Sequence, residues 1–207
     1  MRNIIIIAIL FLCLNSNAQN IKIEHTSYTI IFDTVKKSPV YTYYMLYGNN
    51  LAKPKCKRTT FSIDPLINSK YQRTKPFYDD DTLHDKGHLS PDDDFRFDFI
   101  SEKEAMYYTN CAPQNYHLNR GVWRQIEEYT RTCAEMEDSV KVYTGVIYQN
   151  TNAIPSYYWK AIIHYNKKPI DYFLAKNETY DTENIFDLRV TKEIMSKLVK
   201  LKNIIKN

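Results

Sequence analysis

One amphipathic helical stripe lies between two groups of strand-like segments, and this order restricts the 207-residue chain more than any other feature. Val122, Ile126, Tyr129, Cys133 and Met136 recur at helical spacing after Asn119, which predicts one helix with a single apolar face. Before it, Tyr28–Phe32 and Val40–Tyr47 read as strands, the second closed by Gly48-Asn49-Asn50 as a turn. After it, Val140–Tyr148, Tyr158–Tyr165 and Ile170–Ala175 read as strands, and a last helix begins near Lys192. Ser101-x-x-Glu104 has the form of a capping box on a further short helix. Together these predict an α+β fold with a mainly antiparallel central sheet and flanking helices. Residues 53–87 are polar and irregular, and a loop of that length inside a domain is usually functional or disordered.

The chain holds only four glycines, which excludes collagen-like, linker-like and Gly-rich phosphate-cradling readings. Its 18 tyrosines suit twisted sheets instead. At the N-terminus, Arg2 precedes the apolar run Ile4–Leu14, and Ser16-Asn17-Ala18 offers small residues for cleavage. Residues 1–18 therefore read as a secretory signal, with residues 19–207 forming one domain that is secreted or periplasmic. The run is too short for a comfortable membrane span, so no stable membrane association is expected after cleavage. Cys56, Cys111 and Cys133 remain, an odd count that allows at most one internal bridge. The formal net charge of +4 includes Arg2, which leaves a mildly basic remainder compatible with an anionic partner.

The chemistry-bearing residues concentrate in two segments. The first is Asp85-Lys86-Gly87-His88-Leu89-Ser90-Pro91. His84 and His88 are four apart, but Gly87 and Pro91 oppose a helical zinc motif there. An isolated His is more often structural than catalytic. The second segment holds Asn110 and Pro113-Gln114, then Asn119-Arg120-Gly121-x-Trp123-x-x-x-Glu127-x-x-x-Arg131. Asn119, Trp123, Glu127 and Arg131 are spaced by four, which would align them along one helix ridge. Taken alone, that ridge would be a solvated face with an ordinary Glu127–Arg131 pair, and Trp123 a packing anchor.

The two segments together, in this order and spacing, resemble the DNA/RNA non-specific endonucleases, which carry a ββα-metal site. Weaker similarity runs from about Tyr28 to Lys160 and includes Arg58, Asp94, Thr144-Gly145 and Pro155-x-x-Tyr158-x-Lys160. The resemblance implies a ββα-metal nuclease site that cuts DNA and RNA to leave 5′-phosphate ends. It gives His88 the role of general base, which suits a group titrating near neutrality. It makes Asn119 the protein ligand of one hydrated Mg²⁺, with Mn²⁺ able to substitute, since a cation that keeps its waters needs few protein ligands. Glu127 corresponds to the acid that orders metal-bound water. Lys86, Arg131 and Arg58 correspond to cations that hold phosphate. Asn110 and Gln114 correspond to polar residues lining the site, Asn110 in a position to orient His88. Arg120 belongs to the same motif and is expected to bind substrate.

Lys86 stands where this family usually has Arg, which keeps the charge and loses the bidentate fork. Asp92 and Asp93 read as solvated loop charges, and Lys53, Lys55, Lys57, Arg58, Arg73 and Lys75 as a loose electrostatic track for a phosphate backbone. The alternative reading is a nucleic-acid-binding module on the nuclease scaffold, weakly catalytic because of Lys86 and an atypical C-terminus. Gly87 and Gly121 flank the expected site, where a side chain would obstruct close approach. The sequence leaves polymer preference and oligomeric state open.

Overall fold

The computed structural model describes residues 20–79, 81–149, 153–165, 168–182, 184–199 and 204–205. The proposed signal segment 1–18 lies outside them. Seven strands form the main sheet: β1 (Asn20–Glu24), β2 (Thr29–Asp33), β3 (Ser38–Tyr47), β6 (Ser139–Ile147), β7 (Tyr157–His164), β8 (Asp171–Lys176) and β9 (Arg189–Val190). They are hydrogen-bonded in that order, and every pair is antiparallel. A separate two-stranded ribbon joins β4 (His84–His88) to β5 (Cys111–Asn115). Three helices matter for the packing: α1 (Phe99–Ala105), α2 (Arg124–Met136) and α3 (Lys192–Leu198). The α+β, mainly antiparallel expectation therefore holds.

Each face of the sheet is covered. On one face, Trp123, Ile126 and Ala134 pack with Leu46, Val140, Val142, Tyr158, Ile162 and Phe173. On the other, Met195 and Val199 cover Tyr143, Trp159, Ala161 and Tyr172. Burial on two faces explains why β7 is apolar at almost every position. Trp123, Ile126 and Tyr158 are all fully buried, and each contributes about 1.5–3 kcal/mol by leaving water.

Several local expectations change. The apolar stripe of α2 stops at Cys133, and Met136, its last residue, is 76% exposed. The cap of α1 is Asp98, whose carboxylate accepts from the Ser101 backbone N–H, three residues before the expected box. Glu104 instead accepts from the backbone N–H and hydroxyl of Thr26. Gly48-Asn49-Asn50 does not close a hairpin. It opens a short helical turn, because the partner of β3 is β6, whose first residue Ser139 pairs with Tyr47 from 92 residues further along the chain. Tight turns that elsewhere use glycine are made by Lys37 (φ 52°) and Asp138 (φ 65°). The strands β1, β4, β5 and β9 have no counterpart among the expected elements. In β4 the reason is plain, since His-Asp-Lys-Gly-His offers no apolar alternation to read.

Gly48 packs directly on the end of α2. A Cβ there would lie 2.6 Å from the Ala134 carbonyl oxygen and 2.9 Å from the Glu135 Cα. Both are backbone atoms and cannot turn aside. Gly48→Ala should therefore lose about 1–3 kcal/mol in urea unfolding, as overpacking against a rigid neighbour does. Unchanged stability would show that α2 yields at this contact.

Candidate active site

The site grows from the β4–β5 ribbon and the helix that follows it. In register, Asp85 faces Gln114, Gly87 faces Ala112 and His88 faces Cys111. After β5 the chain makes one short turn, Tyr116–Leu118, and then a wide turn at Asn119–Trp123 in which Gly121 is not helical (φ −99°, ψ −119°). Only then does α2 begin. The expected ridge of four residues is thus broken. Asn119 lies before the kink, Trp123 is fully buried in the core, and Glu127 and Arg131 lie on α2.

Asp85 ties the two parts together. Its Oδ2 accepts from Asn119 Nδ2 at 2.9 Å and from Arg120 Nε at 2.8 Å, while Oδ1 accepts from Arg120 Nη2 at 2.6 Å. Burial raises the Asp85 carboxyl, but these bonds outweigh it and hold the group below the ordinary carboxylate range. The Arg120 fork bonds Asp85, so Arg120 clamps the ribbon while its side chain stays largely exposed. Asn119 is fixed by its NH₂ end, which directs its amide oxygen away from Asp85. A single hard oxygen donor suits a cation of the Mg²⁺ type, which retains most of its waters.

His88 ends β4 and is half-buried. Its ring stacks on Phe61, with centroids 5.1 Å apart and 20° between planes, and its Nε2 is buried without a hydrogen-bond partner. Burial pushes the imidazole down to about 4, against the upward pull of Asp92 and with Arg58 adding to the fall. The ring is therefore neutral and able to accept a proton. Lys86, two residues earlier, places its ammonium 5.6 Å from the Phe61 centroid and 5.5 Å from that of Tyr78. Nothing in the sequence singled out Phe61 or Tyr78. An aromatic residue in a polar loop carries no local signal of its partner.

Asn110 is fully buried and does not reach the His88 ring. Its Nδ2 donates to the carbonyls of Ser90 and Ala105, and its Oδ1 accepts from the Ser90 N–H. Its backbone carbonyl accepts from the Leu89 N–H. It braces the turn after His88 and does not line the site. Gln114 is also fully buried, with both amide atoms unpartnered in this structure.

The acidic and basic groups on the polar side are paired with one another. Arg131 donates to Asp94 Oδ1 at 3.0 Å, and Tyr44 donates to Asp94 Oδ2 at 2.6 Å. Arg58 pairs with Asp92 at 3.0 Å, and Lys55 with Asp93 at 3.2 Å. Asp92 and Asp93 are therefore neutralised by the basic loop and are not merely solvated. The basic track is correspondingly weakened: Arg73 is buried and donates to the Lys36 carbonyl, and Lys75 pairs with Asp79. Burial holds the Glu127 carboxyl well above the ordinary carboxylate range, with Lys160 opposing the rise and Asp94 and Asp92 adding to it. Lys160 is fully buried, donates to Thr144 Oγ1 at 3.0 Å, and is pushed down by burial. Asp92 acts on both His88 and Glu127, which places the two side chains in one electrostatic neighbourhood.

Residues 12–204 match the profile of the family described as DNA/RNA non-specific endonuclease, and the chain belongs to that family. It is 26% identical over 191 residues to a salivary endonuclease of Lutzomyia longipalpis, covering 75% of this chain and 46% of that protein. It is 25% identical over 179 residues to a nuclease of Serratia marcescens, covering 79% of this chain and 66% of that one. Mitochondrial relatives include human endonuclease G, at 24% identity over 66% of this chain and 52% of the relative. The chain thus spans about half to two-thirds of the length of these proteins. Among solved structures, that of the EndoG/EndoGI complex superposes with a TM-score of 0.74 at 20% identity, covering 86% of this chain and 82% of the other, and shares its fold.

The two glycines at the site behave differently. A Cβ on Gly87 would lie 2.5 Å from the Gln114 Cβ and 2.4 Å from its Oε1, whereas one on Gly121 would meet nothing within 4 Å. Only Gly87 is thus required for close approach, contrary to the expectation for both. Gly87→Ala should separate β4 from Gln114 and lower stability by about 1–3 kcal/mol. Gly121→Ala should introduce no packing clash and lose less. Paired thermal unfolding of the two variants would show equal losses if the ribbon did not depend on this contact.

Proposed function

We propose that this protein is an exported, Mg²⁺-dependent endonuclease that hydrolyses the phosphodiester bonds of DNA and RNA without sequence preference. The observation that carries this reading is the Asp85 bridge. It holds the Asn119 amide at the end of the same ribbon that presents a neutral His88. Family membership and the names of the nuclease relatives support it. Export is supported by the leader pattern and by the likeness to a salivary endonuclease. Among the described residues no helix is long and apolar enough to cross a membrane.

Asn119 would hold Mg²⁺ through its amide oxygen, and the ion would supply charge neutralisation at the phosphate and at the departing oxygen. His88 takes a proton from the attacking water as the new P–O bond forms, and the bond to the 3′ oxygen breaks, that oxygen taking a proton from water to leave a 3′-hydroxyl and a 5′-phosphate. Phe61 holds the imidazole plane. Glu127 orders water near the scissile bond, and a divalent cation nearby would favour its ionised form. Lys86 and Arg131 attract the phosphate backbone, which carries no base information, so cleavage is non-specific.

Purified protein incubated with plasmid DNA and with RNA should cut both when Mg²⁺ is present and neither after chelation. His88→Ala should lower the rate by about 10²–10⁴-fold, the usual contribution of a general base. Salt-dependent binding without metal-dependent cutting would instead establish the binding-module reading. Asn119→Ala should raise the Mg²⁺ concentration needed for half-maximal rate.

The pH dependence follows from the sign of the His88 shift. A base lowered to about 4 is already unprotonated well below neutrality. The acidic limb of kcat/KM should accordingly lie nearer 4 than the 6.5 of an ordinary imidazole. A limb at or above 6.5 would show that burial does not govern the base.

A further inference from the structure

A second cluster of ligating side chains sits at the far end of α2, about six to ten residues and roughly 9–15 Å along the helix axis from Glu127. Cys133 and Glu137 are four apart and share a helix face. His164 ends β7 and faces them. The Cys133 Sγ, a Glu137 carboxylate oxygen and a His164 ring nitrogen all lie within 4.8 Å of one another. They line a cavity of about 130 Å³ that also touches Tyr129, Lys168, Asp171 and Arg189. The three cysteines among the described residues are free, so the Cys133 thiol is not committed to a disulfide.

We propose that Cys133, Glu137 and His164 form a Zn²⁺ site distinct from the nuclease centre. Thiolate, imidazole and carboxylate are the donor types that Zn²⁺ takes, and the thiolate in particular selects against Mg²⁺. Tetrahedral Zn²⁺ with bonds of about 2.0–2.3 Å needs ligand atoms roughly 3.3–3.8 Å apart, so rotamer-scale movement closes the set. One thiolate and one carboxylate neutralise the ion, and the cavity leaves room for water at the fourth position.

The surroundings supply the outer support such sites use. His164 Nε2 lies 3.4 Å from Asp171 Oδ2, and Tyr129 donates to that same oxygen at 2.8 Å. This carboxylate–histidine pair fixes the ring so that Nδ1, at 3.0 Å from Glu137 Oε1, points into the cluster. Lys168 bonds Glu137 at 2.7 Å, and Arg189 pairs with Asp171. Both cationic side chains are about half exposed, at 53% and 45%, and Lys168 can withdraw from Glu137 into solvent when the ion enters. Binding releases one proton from the Cys133 thiol and, when the ring is doubly protonated, one from His164 Nδ1. The bound ion would tie the C-terminal end of α2 to the β7–β8 hairpin.

The test uses the full chain after treatment with a chelator. One equivalent of Zn²⁺ should remain bound after desalting, and Tm should rise on Zn²⁺ addition. Co²⁺ in its place should give a thiolate charge-transfer band that Cys133→Ser abolishes while Cys56 and Cys111 remain. Glu137→Gln should weaken Zn²⁺ at least tenfold, and Asp171→Asn about 10–100-fold, as loss of an outer partner does. In unmutated protein, Zn²⁺ should protect Cys133 but not Cys56 from alkylation, which checks the site without any variant. A cobalt band that persists in Cys133→Ser, or alkylation of Cys133 unaffected by Zn²⁺, would overturn the proposal and leave a salt-bridged latch. Each readout is independent of cleavage, so failure here would not bear on the nuclease reading.

Discussion

The Asp85 carboxylate is the constraint on which the site depends. It receives Asn119 and both donor arms of Arg120, and so fastens the β4–β5 ribbon to the turn that enters α2. Without it, a polar five-residue strand with no apolar face has little reason to stay beside the helix. The charge-assisted fork from Arg120 is stronger than a neutral hydrogen bond and geometrically selective. It sets the position of the Asn119 amide, and the amide's other end is then available to a hard cation.

The helix carries this arrangement into the core. Trp123 and Ile126 anchor the start of α2 against the sheet, and the wide turn at Gly121 lets Asn119 leave the helix axis before the anchor takes hold. Asn110 fixes the next turn of the ribbon by spending its amide on the backbone at Ser90 and Ala105. The buried Asn110 amide and the Asp85 carboxylate thus brace the ribbon that carries His88, and neither bonds its ring. The ring itself is oriented by stacking on Phe61, a contact without directional hydrogen bonding.

The polar side of the site is arranged as compensated pairs. Asp94 holds Arg131, Asp92 holds Arg58 and Asp93 holds Lys55. The basic groups are therefore ordered by carboxylates and do not form a bare basic surface. This is consistent with the modest overall charge of the chain. Lys160 and Glu127 face the same field from the sheet and the helix, and burial drives both toward their neutral forms. A hydrated cation would reverse that tendency for Glu127.

Much of this was legible in the sequence. The helical stripe located α2, and runs of strand-forming residues located β2, β3, β6, β7 and β8, with α3 expected near Lys192. The ordered motif around His88 and Asn119 pointed to the family. Other features were fixed only by tertiary structure. The β4–β5 ribbon has no apolar alternation and exists through pairing and the Asp85 clamp. Arg120 became a clamp, Asn110 a brace and Met136 a surface residue because their neighbours come from distant segments. Phe61 reached His88, and His164 reached Cys133 and Glu137, for the same reason. The sequence by itself determined which residues could do chemistry and which elements would form. Only the fold decided which charges were already spent on one another, since pairing depends on distances that the order of residues does not contain.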